Sequence, residues 1–429
     1  LLVLFWIVAT VRLHSLVWNA FVSNNYSQHG LILNQPHYNP EISGAKHPAL
    51  PNRNLTSPLD IARVWTPLGS KLESYPWCHL FASQASAPLP PQGLVYIKID
   101  KASSSTLAGI NIRLAHTIGK RTVAGGGKDS VCAHTYEHFH AWPFLSEGHD
   151  APSTTTLLWT FLRHPGERAL SQYFHFLVSR RGYGVTYTLL HGFLESIKNF
   201  QLRYVMVPST LVATAAAATV PTLNLTKALY DILSQNQTEP SLGFLHDFVL
   251  ERYSFIGLVE RMDESLAVMK LLWNVEIGDL MVLSAKQAGE YDDGRYQGKC
   301  AKIVRPADYF HRGAKEQRLC KRIEHYLATS FHSNNLDYQL YRAANASLDM
   351  TIAMLGTINV DRVVGQLRSL RQRVESECQD EAVFPCSSNG TLQLELSAKN
   401  CYWYDSGCGY PCVDRVIRRI HQTTAREEG

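Results

Sequence analysis

The stretch Val95-Tyr-Ile-Lys-Ile-Asp-Lys-Ala-Ser-Ser-Ser-Thr-Leu107 decides how this chain is read. Leu94 to Ile99 is short, apolar and rich in β-branched residues, the composition of a central strand. Asp100 to Ser105 is small and polar, so the backbone there can turn tightly. A helical period begins at Thr106, with Leu107, Ile110 and Leu114 on one face. A helix N-terminus carries unpaired N–H groups and the positive end of the macrodipole, so it receives an anion readily. Ser104, Ser105 and Thr106 add hydroxyl donors at that end, and Lys101 can reach over the bound group as a point charge. The glycine-bearing loop G-x-x-x-x-G-K-[ST] is absent. Taken alone, the segment reads more readily as a serine-capped helix after a strand, with Lys101 solvated.

About sixty residues on, Leu158-Trp-Thr-Phe-Leu-Arg-His-Pro-Gly-Glu-Arg-Ala-Leu-Ser-Gln-Tyr173 repeats the plan. Thr156 to Leu162 has strand composition. Pro165 suits the first position of a helix, and Glu167 sits in its first turn, where the dipole favours an acid. Arg163, at the strand end, can donate a bidentate pair to a phosphate, and Ser171 can add a hydroxyl. Alternatively, Arg163 and Glu167 form a local surface ion pair. Two anion sites at the ends of two strands suit a nucleotide with phosphates at both ends.

Together these segments resemble the 5′- and 3′-phosphosulfate-binding motifs of sulfotransferases, and more closely the Golgi carbohydrate sulfotransferases, including heparan sulfate 2-O- and 6-O- and galactose 3-O-sulfotransferases. The pattern R-x-P-x-E-R-x-x-S-x-Y is complete in Arg163, Pro165, Glu167, Arg168, Ser171 and Tyr173. Asn199-Phe-Gln-Leu-Arg-Tyr204 is similar to a third element of that family, and Phe255-Ile-Gly-Leu-Val-Glu-Arg-Met-Asp-Glu-Ser-Leu266 to a fourth. Asp337 to Leu348 resembles its closing segment. The likeness runs over roughly residues 94 to 348. In the galactose branch a His commonly precedes the loop Lys, whereas Asp100 stands here.

The resemblance implies an α/β fold, a P-loop-like parallel sheet flanked by helices, here with a Cys-rich C-terminal extension. It implies 3′-phosphoadenosine 5′-phosphosulfate (PAPS) as sulfuryl donor, without a metal. Lys101, Ser103, Ser104, Ser105 and Thr106 would hold the 5′-phosphosulfate, and Arg163 and Ser171 the 3′-phosphate. Lys101 would also stabilise the leaving oxygen. The acceptor would be a hydroxyl of a glycan or polysaccharide. A general base must take its proton, and His suits working pH. The cluster Cys132-Ala-His-Thr-Tyr-Glu-His-Phe-His-Ala-Trp142 offers His134 first, with His138 and His140 behind it. The same spacing could bind a metal, though no ordered set of further ligands is evident.

Composition sets the frame. The chain has 429 residues, 45% hydrophobic, with a formal net charge of +4. That is enough for one large or two modest domains, and too mild a charge for a nucleic-acid binder, while compatible with an acidic polysaccharide. Leu1 to Val11 is an unbroken apolar run, and Leu13 to Val22 is largely apolar. Residues 1–22 read as the remnant of a signal anchor, with a cleaved signal peptide as the competitor. Asn25, Asn54, Asn224, Asn236, Asn345 and Asn389 head glycosylation sequons, more than composition alone yields. Nine Cys, five of them at 378, 386, 401, 408 and 412, point to disulfides and an oxidising compartment. The odd number leaves at least one thiol free or paired between chains, and connectivity and oligomeric state stay open. The expected location is therefore the Golgi membrane, single-pass type II, with a lumenal catalytic domain.

Residues 23–92 read as a stem, 93–350 as the catalytic domain, and 351–429 as a helical and Cys-rich extension. Residues 360 to 376 have helical spacing, Val207 to Val220 reads as a variable insert, and Arg295 and Lys299 read as an exposed turn or a loop over the cofactor. Two other functions compete. A small-molecule kinase needs the missing glycine loop and an acidic Mg²⁺ ligand. A non-catalytic lumenal glycan-binding glycoprotein would have no need of the Lys101 and Arg163/Ser171 set.

Overall fold

A computed structural model describes residues 57–68, 72, 93–122, 131–137, 156–205, 242–283, 291–292, 300–333, 335–378, 386–387, 389–392 and 409–427. These belong to one of the chain's two compact units, Leu55–Val212 with Thr238–Gly429. The centre is a sheet of four parallel strands: β1 (Gly93–Ile97), β2 (His134–Glu137), β3 (Thr156–Leu162) and β4 (Phe255–Leu258), in the order β2-β1-β3-β4. Helices flank it, as expected for an α/β fold. In chain order they include α1 (Ser104–Thr122), α2 (Pro165–Tyr173), α3 (Tyr187–Ser196), α4 (Phe200–Val205) and α5 (Met262–Trp273). After a two-residue antiparallel pair, β5 (Tyr291–Asp292) and β6 (Ala301–Lys302), come α6 (Ala314–Tyr326), α7 (Asp337–Leu355), α8 (Thr357–Cys378) and α9 (Tyr410–Glu427).

Strands buried on both faces need continuous apolar sequence, and β1 and β3 supply it. Their side chains build an aromatic core. The Trp159 ring lies 5.9 Å from Trp273 and 4.5 Å from Tyr96, and Phe161 lies 6.1 Å from Phe255. Trp159 donates its indole N–H to Asn111 Oδ1 at 2.9 Å, which satisfies both buried groups. Gly257 faces Phe161 across the β3–β4 register. A Cβ there would meet the Phe161 ring at 2.5 Å, so only glycine lets that ring lie flat on β4.

The order of strands creates the site. From β1 the chain crosses through α1 to β2 on one side, and from β3 it crosses to β4 on the other. The connections diverge at the carboxyl ends of β1 and β3. That is a topological switch point, the place where open parallel sheets leave a crevice for ligands.

Residues 57–68, read above as stem, pack into the unit. Ile61 and Trp65 are fully buried, and the Arg63 and Trp65 amides donate to Ser347 Oγ and Thr351 Oγ1, each at 2.9 Å. The C-terminal residues likewise join the core through α8, whose Val360, Leu367 and Val374 are buried. Disulfides Cys300–Cys386 and Cys378–Cys412 tie the C-terminal region to the unit, and Cys132 is disulfide-bonded as well. Residues 1–22 and 207–220, Arg295 and Lys299 lie outside the described residues. No helix among the described residues is long and apolar enough to cross a membrane.

Candidate functional site

The turn after β1 is held in an uncommon conformation. Lys101 (φ 63°) and Ser103 (φ 56°) both occupy the left-handed region, which costs non-glycine residues roughly 1–2 kcal/mol each. The reversal lets α1 open at Ser104, two residues before its apolar period starts. The Ser103 carbonyl accepts the Leu107 amide at 3.1 Å. Ser103, Ser104, Ser105 and Thr106 are all half-buried around this helix start, so their hydroxyls and the first free N–H groups share one end of a 19-residue helix.

Arg163 follows directly from β3 and leans back to this turn. Its Nη1 donates to the Lys101 carbonyl at 3.2 Å. The two segments recognised in the sequence are thus joined by a hydrogen bond at the switch point. Arg163 Nη2 lies 4.0 Å from Glu167, a loose pairing that leaves the guanidinium partly open. Pro165 opens α2 with Glu167 in its first turn. Ser171 is half-buried one turn beyond Glu167, on the same helix face.

What fixes Arg163 is a frame drawn from distant elements. Gln201, fully buried at the start of α4, accepts the Arg163 amide at 2.9 Å and donates to the Arg163 carbonyl at 2.8 Å. Asp337 at the start of α7 accepts the Gln201 and Leu202 amides at 3.0 and 2.8 Å, capping α4. Asn199 accepts the Leu336 amide at 2.6 Å, and its own amide donates to Asn335 at 3.0 Å. On the other side Glu260 accepts the His164 amide at 2.8 Å and the Tyr341 hydroxyl at 3.0 Å. The five stretches likened above to sulfotransferase elements therefore meet around one loop. Sequence reading did not assign roles to Gln201, Glu260 and Asp337. Their presence in those stretches was the available signal.

Beneath the loop lies a charge with an unusual environment. Arg168 is buried, stacks over Phe200 at 4.0 Å and donates to Gln172 at 2.6 Å. Burial brings its pKa down to about 10, with Asp337 and Asp100 opposing the fall. Burial raises Asp337 in turn, against the pull of Arg168. Tyr173, the last residue of the second motif, is a core residue whose hydroxyl burial pushes up to about 12. Arg168 and Tyr173 thus support the loop rather than line it.

The structure does not bring His134 to Lys101 and Arg163. His134 opens β2 beside Leu94, at the amino end of the sheet. From there to Ile97, where the Lys101 turn departs, is about 10 Å along the strands. The His134 ring is occupied locally: Nδ1 lies 3.0 Å from the Cys132 carbonyl, and the ring sits 6.1 Å from His116. Burial lowers its pKa, with the Cys132 hydrogen bond opposing. The strand ends at Glu137, paired with Ile97 at the same edge as the Lys101 turn. His138 and His140 lie outside the described residues.

A cavity of about 300 Å³ adjoins the first turn of α1. Thr106 and Ile110 form one wall, Met262 and Leu266 of α5 another, and Arg371 of α8 closes the rim. Arg371 is held there by Asp263 at 2.7 Å. Among the described residues no group of three or more His, Cys, Asp or Glu is placed to hold a metal ion. The chain matches no protein-family model, no curated protein and no solved structure.

Proposed function

We propose that this protein transfers a sulfuryl group from PAPS to a hydroxyl of a glycan or polysaccharide. The observation that carries the reading is the Arg163–Lys101 hydrogen bond at the switch point, which puts an open guanidinium beside a hydroxyl-rich helix start. The donor set suits a ligand with two anionic ends. Lys101, Ser103, Ser104, Ser105 and Thr106 would hold the 5′-phosphosulfate, and Arg163 and Ser171 the 3′-phosphate. The cavity beside Thr106, lined by both apolar and charged side chains, has the volume a flat ring system needs. When bound, PAPS supplies an activated sulfuryl group with a nucleotide phosphate as leaving group.

This chain's own residues then orient and neutralise. The α1 N-terminus and Lys101 stabilise negative charge on the leaving oxygen, fixed in place before the reaction. The frame of Gln201, Glu260 and Asp337 holds Arg163 so that the nucleotide lies in line with an acceptor. The proton of the acceptor hydroxyl passes to a base entering from the carboxyl edge. His134 opens β2 at the amino end of the sheet, so His138 and His140, which follow Glu137 in sequence, are the candidates for that base. A lumenal location fits the disulfide bonds, and the membrane anchor rests on the apolar sequence of residues 1–22.

The test is transfer of label from sulfur-labelled PAPS to a panel of glycans. Wild type should label at least one acceptor. Lys101→Ala should abolish labelling, His138→Ala should reduce it by about 10²–10⁴, and His134→Ala should leave most of it. Nucleotide binding without transfer to any acceptor would count against an enzyme. Full loss in His134→Ala with normal His138→Ala would overturn the assignment of the base.

A further inference from the structure

One exposed stretch is strongly basic. Between Lys302 and Glu324 there are seven Lys or Arg and three Asp or Glu, an excess as large as the net charge of the entire chain. All seven cations are exposed. Five of them, Arg312, Lys315, Arg318, Lys321 and Arg322, make no ion pair to a carboxylate among the described residues. At about 100° per residue, the four on α6, with His325, fall within a strip about 120° wide and about 15 Å long. Glu316 and Glu324 lie off that strip, while Ile323 and Tyr326 turn into the core. The Arg322 guanidinium rests over the Tyr187 ring at 3.9 Å, and Arg312 over Tyr309 at 5.2 Å. Aromatic supports of this kind hold a cation in position without neutralising it.

A helix face of unpaired like charges is destabilising by itself, so its natural complement is a polyanion. The helix that carries the strip is tied to the candidate site by hydrogen bonds. The end of α6 packs on α3 through a Tyr326–Glu195 hydrogen bond. Lys198 then donates to the Ser330 carbonyl at 3.4 Å, and Asn335 bonds Asn199 just before Gln201, the residue that grips Arg163.

We propose that the exposed face of α6 is a docking strip for an acidic polysaccharide, a chain of uronate or sulfate groups that runs from this helix into the site. This rests on the transferase reading above and narrows its acceptor to the anionic class. A long, flexible polyanion can lie along the strip and still present one hydroxyl at the sheet edge, which a small neutral glycan cannot do.

The experiment uses the purified full chain and heparin as the probe. Four substitutions, Lys315→Ser, Arg318→Ser, Lys321→Ser and Arg322→Ser, are combined. A control combines Arg362→Ser, Arg373→Ser, Arg415→Ser and Arg418→Ser, which remove the same charge from other exposed sites. The α6 variant should bind heparin about 100-fold more weakly, and its log affinity should depend on log salt with a slope smaller by about three units. The control should lose only a few-fold. With an acidic polysaccharide acceptor, KM should rise in the α6 variant with kcat and nucleotide affinity unchanged. Equal heparin affinity for the two variants would overturn the proposal. So would wild-type binding of single-stranded DNA as tightly as heparin, or an unchanged KM. The heparin arm needs no turnover, so failure of the transferase reading shows separately, as absent binding of 3′,5′-adenosine bisphosphate.

Discussion

Replacing Gln201 by Leu tests whether Arg163 is held by its frame. Leucine fills nearly the same volume in a fully buried position, so packing changes little. Two hydrogen bonds disappear, from the Arg163 amide at 2.9 Å and to its carbonyl at 2.8 Å. Each is worth about 0.5–1.5 kcal/mol, and a partly buried backbone group left without a partner adds to that, so about 2–4 kcal/mol of stability should go. For a unit of this size that lowers Tm by about 3–5 °C. The loop carrying Arg163 then samples other positions, and affinity for 3′,5′-adenosine bisphosphate should fall about tenfold. Scanning calorimetry reads the first quantity and titration calorimetry the second. A variant with wild-type Tm and wild-type nucleotide affinity would refute the bracing account. A lowered Tm with intact affinity would leave Gln201 a packing residue only.

Other outcomes follow from the same structure. Gly257→Ala should cost about 1–3 kcal/mol, because its Cβ meets the Phe161 ring at 2.5 Å, and thermal melts should show it. Cys412→Ser opens a link between residues 34 apart in sequence and should cost about 4 kcal/mol, read as a lower denaturation midpoint under oxidising conditions. Stability should fall as pH drops from about 7 toward 5. Burial lowers His116 and His134 below their usual value, so the unfolded chain binds more protons in that window. His116→Gln with His134→Gln should flatten the acid side of the Tm–pH curve. Of the two described sequons, Asn389 sits in an exposed turn and should carry glycan. Asn345 lies on α7, its Oδ1 bonded to Arg261 at 3.0 Å and its sequon serine buried, and should not, as peptide mapping by mass spectrometry would show.

Much of the sheet was legible because β1 and β3 are continuous apolar runs, and β3 spans the residues its composition marked, Thr156–Leu162. The start of α1 was read two residues late, since Ser104 and Ser105 carry no apolar period and their helicity follows from the left-handed turn before them. β2 was missed as a strand. Its four residues, His134 to Glu137, mix polar and aromatic side chains, and parallel pairing with β1 cannot be inferred from so short a run. That same register moved His134 to the far edge of the sheet. The packing of residues 57–68 was hidden for a related reason. Residues 57–68 show no period because they are held by distant contacts, the Arg63 and Trp65 amides by side chains of α7 and the Leu68 amide by the Leu272 carbonyl. Lys101 and Arg163 were readable as site residues from local chemistry. Gln201, Glu260 and Asp337 were not, because each acts on a backbone group brought near only by the fold.

The central claim is that Arg163, beside the Lys101 turn, recognises a 3′-phosphate. Titration calorimetry of wild type and Arg163→Ala against 3′,5′-adenosine bisphosphate and 5′-AMP tests it most directly. A charge-assisted pair is worth about 1.5–3 kcal/mol, so wild type should prefer the bisphosphate by about 10- to 150-fold. Arg163→Ala should bring the two affinities together while remaining folded. Equal affinities in wild type, or a preference that survives in Arg163→Ala, would contradict the account.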